Sequence, residues 1–197
     1  MALNGREKPL MVFGPNNLGP VITFYKSFWG QKDPYEIKFT PLKMNVPEVI
    51  MEIPGLQVEA FPLKHAIDCY GYIFRECPHR TPQGDVNDMR SYAYCSDTAP
   101  FAELSSWVRG VSLLYHEGTY LREDSSKAQA RFHSTVEDAA ICARDAQAGR
   151  LLLGHYSSSI AEETISDSYI CQARAIFPDS TAVSDGDIYD IPAINQK

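Results

Sequence analysis

Residues 113–159, LLYHEGTYLREDSSKAQARFHSTVEDAAICARDAQAGRLLLGHYSSS, hold three of the five histidines of the chain, and each stands at an edge of predicted structure. His116 follows the apolar run 111–115, His133 precedes a helix-start signal, and His155 ends the run 151–154. Between the two runs lies the best-defined helical pattern, residues 134–149. There STVE at 134–137 fits a capping box, alanines at 139, 140, 143 and 146 with Ile141 supply a close-packing face, and Gly149 suits a C-terminal cap. Free N–H groups and the helix dipole favour a bound anion such as a phosphate beside His133. Titratable side chains just past the ends of buried strands are where open α/β sheets put their chemistry.

The same pattern recurs upstream. Residues 56–63 (LQVEAFPL) alternate as a strand, and His65 follows at a corner before a second strand at 69–74 (CYGYIF). Residues 91–95 (SYAYC) are a strand that Asp97 leaves one residue beyond its end. Alone, Asp97 would be read as capping the helix that starts near Phe101, and His65 as a surface or packing residue. Together, His65, Asp97, His116 and His155 each end a separate strand-like run, which is harder to dismiss.

Near the N-terminus, KPLMVF at 8–13 and its Gly-Pro-Asn-Asn turn predict a strand, followed by a helix over 17–29 with Pro20 in its first turn. Residues 36–42 and 46–53 predict strands of a mainly antiparallel sheet, punctuated by Pro41, Pro47 and Pro54. Residues 75–90 predict a loop, in which His79 is solvated. The tail predicts a helix over 164–177 and a strand pair across 184–187. A β-rich first half followed by alternating strands and helices indicates an α/β sandwich, read as one domain over residues 1–197.

Composition narrows the partners. No apolar run approaches the roughly eighteen residues of a membrane span, so no membrane partner is expected. The N-terminus does not read as a secretory signal, and the five cysteines are scattered without a C-x-x-C pair, which points to free, mostly buried thiols in a reducing cytoplasm. A net charge of -7 argues against generic nucleic-acid binding, so any such contact must be local.

Five motifs carry a resemblance: LKHAIDCYGY at 63–72, SDT at 96–98, HEGT at 116–119, HST at 133–135 and LGHYSS at 153–158. In order and separation they resemble the successive motifs of ribonuclease Z, the tRNA 3′-end processing endonucleases of the metallo-β-lactamase superfamily, and the Gly14-Pro15 turn resembles that family's own. The resemblance implies a metallo-β-lactamase-like αββα sandwich. It implies that His65 and His155 are ligands of different ions in a dinuclear centre, zinc with manganese or magnesium as alternatives, and that Asp97 bridges them. By the same resemblance His133 is the general acid, oriented by Glu117, while Ser134, Thr135 and Thr119 help to hold phosphate and His116 supports. It further implies a homodimer acting on precursor tRNA.

The sequence departs from that pattern in three ways. No histidine occurs before His65, so the family's H-x-H-x-D-H motif is absent from these residues and the chain reads as the C-terminal two-thirds of the family domain, its N-terminal part missing. The isolated chain is therefore expected to bind metal weakly and to be impaired as an enzyme. The interval 74–91 is short where the family carries a tRNA-gripping arm. Finally, Gly118 stands where alanine is usual, and Ser159 where arginine is. Two other readings follow: a small-substrate phosphodiesterase of the same superfamily, and a non-catalytic dimerisation or regulatory subunit.

Overall fold

Short apolar runs broken by proline and glycine become strands throughout the structure, a computed structural model that describes residues 5–29, 35–78, 80–81, 84–85, 89–158 and 168–193. Contacts group the chain into two units, Met1–Asn45 and Val46–Lys197. In the first, β1 (Leu10–Pro15) leads through α1 (Leu18–Trp29) to β2 (Ile37–Leu42). Pro20 is the third residue of α1, where its missing N–H costs nothing. The expectation of an antiparallel strand fails at β2, which lies parallel to β1 with Leu10 opposite Ile37 and Pro15 opposite Leu42. A helix between two strands carries the chain back to the starting end, which favours the parallel pairing.

The second unit is built on a seven-stranded mixed sheet. In chain order its strands are β3 (Glu48–Ile53), β4 (Leu56–Leu63), β5 (Cys69–Glu76), β8 (Ser91–Cys95), β9 (Leu113–Glu117), β10 (Leu151–Gly154) and β11 (Ser180–Ala182). Across the sheet they run β11-β10-β9-β8-β5-β4-β3. The meander β3-β4-β5-β8 is antiparallel, and β8, β9, β10 and β11 are mutually parallel. Pro54-Gly55 turns β3 into β4, with Gly55 in the left-handed region at φ 83°. Because β4 and β8 each lie antiparallel to β5, the carboxyl ends of β4, β8, β9 and β10 all meet at one edge. This shared edge is what positions the candidate site.

Helices α2 (Ala102–Trp107), α3 (Ser125–Ala130), α4 (Val136–Asp145) and α5 (Ile170–Arg174) follow strands in this half. Buried Val136, Ala139, Ala140 and Ala143 give α4 a small-residue face. The core includes Phe61, Ile73, Leu104, Leu114, Val136 and Leu153, all at most 1% exposed. Each large aliphatic or aromatic side chain there contributes about 1.5–3 kcal/mol by leaving water.

Several boundaries differ from those read in the sequence. The α4 capping box is Thr135 with Asp138, one residue later than expected, and the helix ends at Asp145 with Ala146 as C-cap, followed by Gln147 at φ 55° instead of a glycine cap. The 75–90 interval is not all loop: β5 runs to Glu76, and Arg80–Thr81 (β6) pairs with Gly84–Asp85 (β7). His79 and the expected helix residues 164–167 lie outside the described residues, and within them the tail α-helix is Ile170–Arg174, preceded by a π-helical turn at Ser168 and Tyr169. The terminal strand is Ser180–Ala182, parallel to β10, with a turn rather than a strand pair at 184–187. Only Cys95 of the five free cysteines is fully buried. No helix among the described residues is long and apolar enough to cross a membrane.

Candidate metal and acid-base site

Three expected side chains arrive at the sheet edge by the route that the strand ends suggest. His65 follows β4, Asp97 follows β8 and His155 follows β10. Here the histidine of the β9 end is replaced by a glutamate. β9 runs two residues past the apolar run, so His116 lies inside the strand, opposite Cys95 on one side and Leu153 on the other, and Glu117 is the residue at its end. His116 is 1% exposed and donates its Nδ1–H to the Glu117 carbonyl at 2.6 Å. Burial pushes its imidazole below the ordinary value, partly opposed by that hydrogen bond and by the Glu117 charge. It belongs to the framework.

Glu117 is fully buried, and its two oxygens accept five hydrogen bonds. Oε1 takes the Thr98 N–H and His133 Nδ1, each at 2.7 Å. Oε2 takes the Thr119 hydroxyl at 2.5 Å, the Ser134 N–H at 3.2 Å and the Thr119 N–H at 3.3 Å. A carboxylate buried this deeply is tolerable only because its lone pairs are so fully met.

Around that floor, the three histidines are held in one tautomer. The Phe132 carbonyl, which can only accept, lies 3.0 Å from His65 Nδ1, so that nitrogen carries the hydrogen. The Thr119 hydroxyl gives its hydrogen to Glu117 and therefore accepts from His155 Nδ1 at 2.8 Å. His133 donates from Nδ1 to Glu117. Each ring is thereby left with Nε2 as its free lone pair when neutral, the arrangement in which ligating histidines are usually held.

Asp97 lies between two of those nitrogens. Its Oδ2 is 3.8 Å from His65 Nε2 and its Oδ1 3.4 Å from His155 Nε2, with the carboxylate side chain 31% exposed. The His133 ring lies between the other two, its centroid 4.9 Å from that of His65 and 5.3 Å from that of His155. Two overlapping groups can each gather donor atoms within 4.8 Å: His65, Asp97 and His133, and Glu117, His133 and His155. Imidazole nitrogens with a carboxylate oxygen suit a first-row divalent ion, and one imidazole plus one Asp97 oxygen is available on each side. Of these donors, Glu117 is the least suited, because all its bonds are already made.

The remaining expected residues are present with other partners. The Ser134 hydroxyl donates to the Thr98 carbonyl at 2.7 Å, and the Thr135 hydroxyl donates to Asp138 at 2.7 Å in the capping box. Thr119 links Glu117 to His155. A cleft of about 540 Å³ opens beside the histidines, lined among others by Lys64, His65, Gln129, Phe132 and His133.

Two contributors escaped the sequence reading. One is the Phe132 carbonyl, for which no sequence signal exists. The other is Tyr169, fully buried, whose hydroxyl donates to the Gly118 carbonyl at 2.5 Å. A methyl group at position 118 would overlap that hydroxyl. Gly118 thus leaves the room that the Tyr169 hydroxyl occupies.

Comparison with known proteins gives this edge a family. Residues 5–156 match the beta-lactamase superfamily domain. The ribonuclease Z of Cytophaga hutchinsonii is 31% identical over 90% of this chain and 68% of its own length, and that of Parabacteroides distasonis is 32% identical over 80% and 64%. The chain thus spans about two-thirds of the length of those two relatives. Among solved structures, human tRNase Z, short form, superposes with a TM-score of 0.74 at 20% identity, covering 93% of this chain and 67% of that one. The metallo-beta-lactamase fold protein YhfI of Bacillus subtilis gives 0.68 at 16% identity, covering 95% and 67%. These likenesses establish a metallo-β-lactamase type of α/β fold, and the family implies a divalent metal. With a matched domain over most of its length and a curated relative at 31% identity, the chain belongs to the ribonuclease Z family of the beta-lactamase superfamily.

Proposed function

We propose that this chain carries the acid-base half and part of the metal shell of a zinc-dependent endoribonuclease that removes 3′ trailers from precursor tRNA. The observation that carries the reading is the common tautomer of three histidines: each Nδ1 is tied inward, and two of the Nε2 atoms face the two oxygens of Asp97. His65, Asp97 and His155 would hold the metal. Bound there, the metal would supply Lewis-acid activation of water and positive charge against the phosphoryl oxygens.

The chain's own residues do the rest. His133, protonated at Nε2, gives that proton to the oxygen leaving phosphorus as the P–O bond breaks, and buried Glu117 stabilises the imidazolium and fixes its orientation through Nδ1. Thr119 holds the His155 ring. Ser134 and Thr135 are proposed to serve phosphate binding through the turn they shape, since their hydroxyls are engaged elsewhere. A homodimer and a cytoplasmic setting belong to the same proposal, on the strength of the family resemblance.

The H-x-H-x-D-H motif does not occur among these 197 residues. The test therefore assays precursor tRNA cleavage with zinc, using the chain alone and the chain mixed with a segment that carries the motif. Trailer release in the mixture, lost on His133→Ala by about 10²–10⁴-fold, is expected. Hydrolysis of bis(p-nitrophenyl) phosphate without tRNA cleavage would favour a small-substrate phosphodiesterase, which the net charge of -7 makes the natural second reading. Inertness toward both, in the mixture as well, would leave a non-catalytic subunit.

A further inference from the structure

The turn between α3 and His133 has a conformation that its sequence does not invite. α3 ends at Ala130 with Arg131 as C-cap. The next two N–H groups return to the helix, Phe132 to the Gln129 carbonyl at 3.2 Å and His133 to the Ala128 carbonyl at 2.9 Å. This pair of bonds is the Schellman ending, which requires a left-handed residue at the position after the cap. Glycine is the usual occupant because it has no Cβ to clash. Here the occupant is Phe132, at φ 58°. A bulky residue in that region is an outlier that the surroundings must hold in place.

The consequence of the turn is seen at its carbonyl. It points at His65 Nδ1, 3.0 Å away, and so sets which nitrogen of that ring faces Asp97. The residue that immediately follows is His133, seated on Glu117 by the same reversal of the chain. The Phe132 side chain meanwhile stays 48% exposed on the wall of the cleft, so it is not burial of the ring that accounts for the backbone conformation.

We infer that the left-handed turn at Phe132 is a positioning device, in which the residue's backbone carbonyl holds His65 with Nε2 toward Asp97 while the turn itself sets His133 against Glu117. Phe132 is a positioning residue, acting through His65, and the inference rests on the proposed reading of His65 as a metal ligand. Its requirement is for backbone conformation: glycine at 132 preserves the device, and a β-branched residue, which tolerates positive φ poorly, disrupts it.

The experiment is ¹⁵N NMR of the histidine rings in the metal-free chain, followed by titration with zinc alone, for the wild type, Phe132→Gly and Phe132→Ile. His65 is expected as the Nδ1–H tautomer in the wild type and in Phe132→Gly, with zinc affinity equal in the two. In Phe132→Ile the His65 tautomers mix and zinc binds about 10–100-fold more weakly, the loss typical when a ligand's outer hydrogen bond is removed. An Nε2–H His65 in the wild type overturns the inference without any variant. So does a folded Phe132→Ile with His65 tautomer and zinc affinity unchanged. If Phe132→Ile does not fold, Phe132→Gly decides: retained tautomer and affinity support a backbone role, and a tenfold loss overturns it. A chain that shows the expected tautomers but binds no zinc would sink the metal-ligand reading and leave the positioning of His65 supported.

Discussion

Glu117 closes β9 and Asp97 follows the neighbouring β8, so two carboxylates stand at adjacent strand ends of one sheet edge. Glu117 is completely buried and accepts five hydrogen bonds, two of them from the backbone N–H groups of Thr98 and Ser134, which join other segments. Asp97 is 31% exposed, receives one long contact of 3.5 Å from the Ser96 hydroxyl, and otherwise faces imidazole nitrogens at 3.4 and 3.8 Å. One carboxylate is saturated by the fold, and the other is partly exposed and retains acceptor capacity toward the imidazoles of His65 and His155. The difference teaches how two carboxylates at one edge can be told apart by their partners: Glu117 has all of its partners within the fold, and Asp97, the proposed metal ligand, does not.

Breaking the floor should have the largest effect. Glu117→Ala leaves buried donors from Thr98, Thr119 and Ser134 unpaired, and an expected loss of about 3–5 kcal/mol in unfolding free energy is to be read from urea denaturation. Next comes the glycine that the floor's neighbour requires. Gly118→Ala should cost about 1–3 kcal/mol by overlap with the Tyr169 hydroxyl, and Tyr169→Phe in the same chain should recover most of it by making room.

A smaller effect concerns His116, beneath the floor. Its folded-state pKa is lowered, chiefly by burial, so the unfolded chain takes up the proton first as pH falls. Its contribution to stability is therefore full above the ordinary value of 6.5 and declines as pH drops below it toward the folded-state value. Denaturation midpoints measured across that interval should fall with pH, and His116→Asn should flatten the slope.

Much of this edge was legible in the sequence because apolar runs ending in His or Asp are a local signal. β4, β8 and β10 end where the alternation or the run ends, and His65, Asp97 and His155 follow as expected. Legibility failed where tertiary pairing overrides local pattern. His116 and Glu117 read as the exit from a strand because they are polar, yet Cys95 and Gly154 on the flanking strands extend the ladder over them and bury both. The parallel pairing of β1 and β2 depends on the crossover through α1, which no run of residues within β2 announces. The capping box shifted by one residue because Asp138 competes with Glu137 for the same job, and Asp138 makes the bond. The Phe132 turn left no trace at all, since glycine is the residue that a reader looks for there.

On the proposed reading, the Asp97 end of this edge is a metal site and the Glu117 end is not. That assignment is tested most directly by titrating the chain with zinc while following thermal unfolding, for the wild type and Asp97→Asn. Without metal, Asp97→Asn should unfold within about 0.5 kcal/mol of the wild type, as a partly exposed side chain with few partners would. Zinc should raise the wild-type midpoint in proportion to binding and leave that of Asp97→Asn unchanged. Equal stabilisation of both chains by zinc, or a metal-free Asp97→Asn as damaged as Glu117→Ala, would contradict the account.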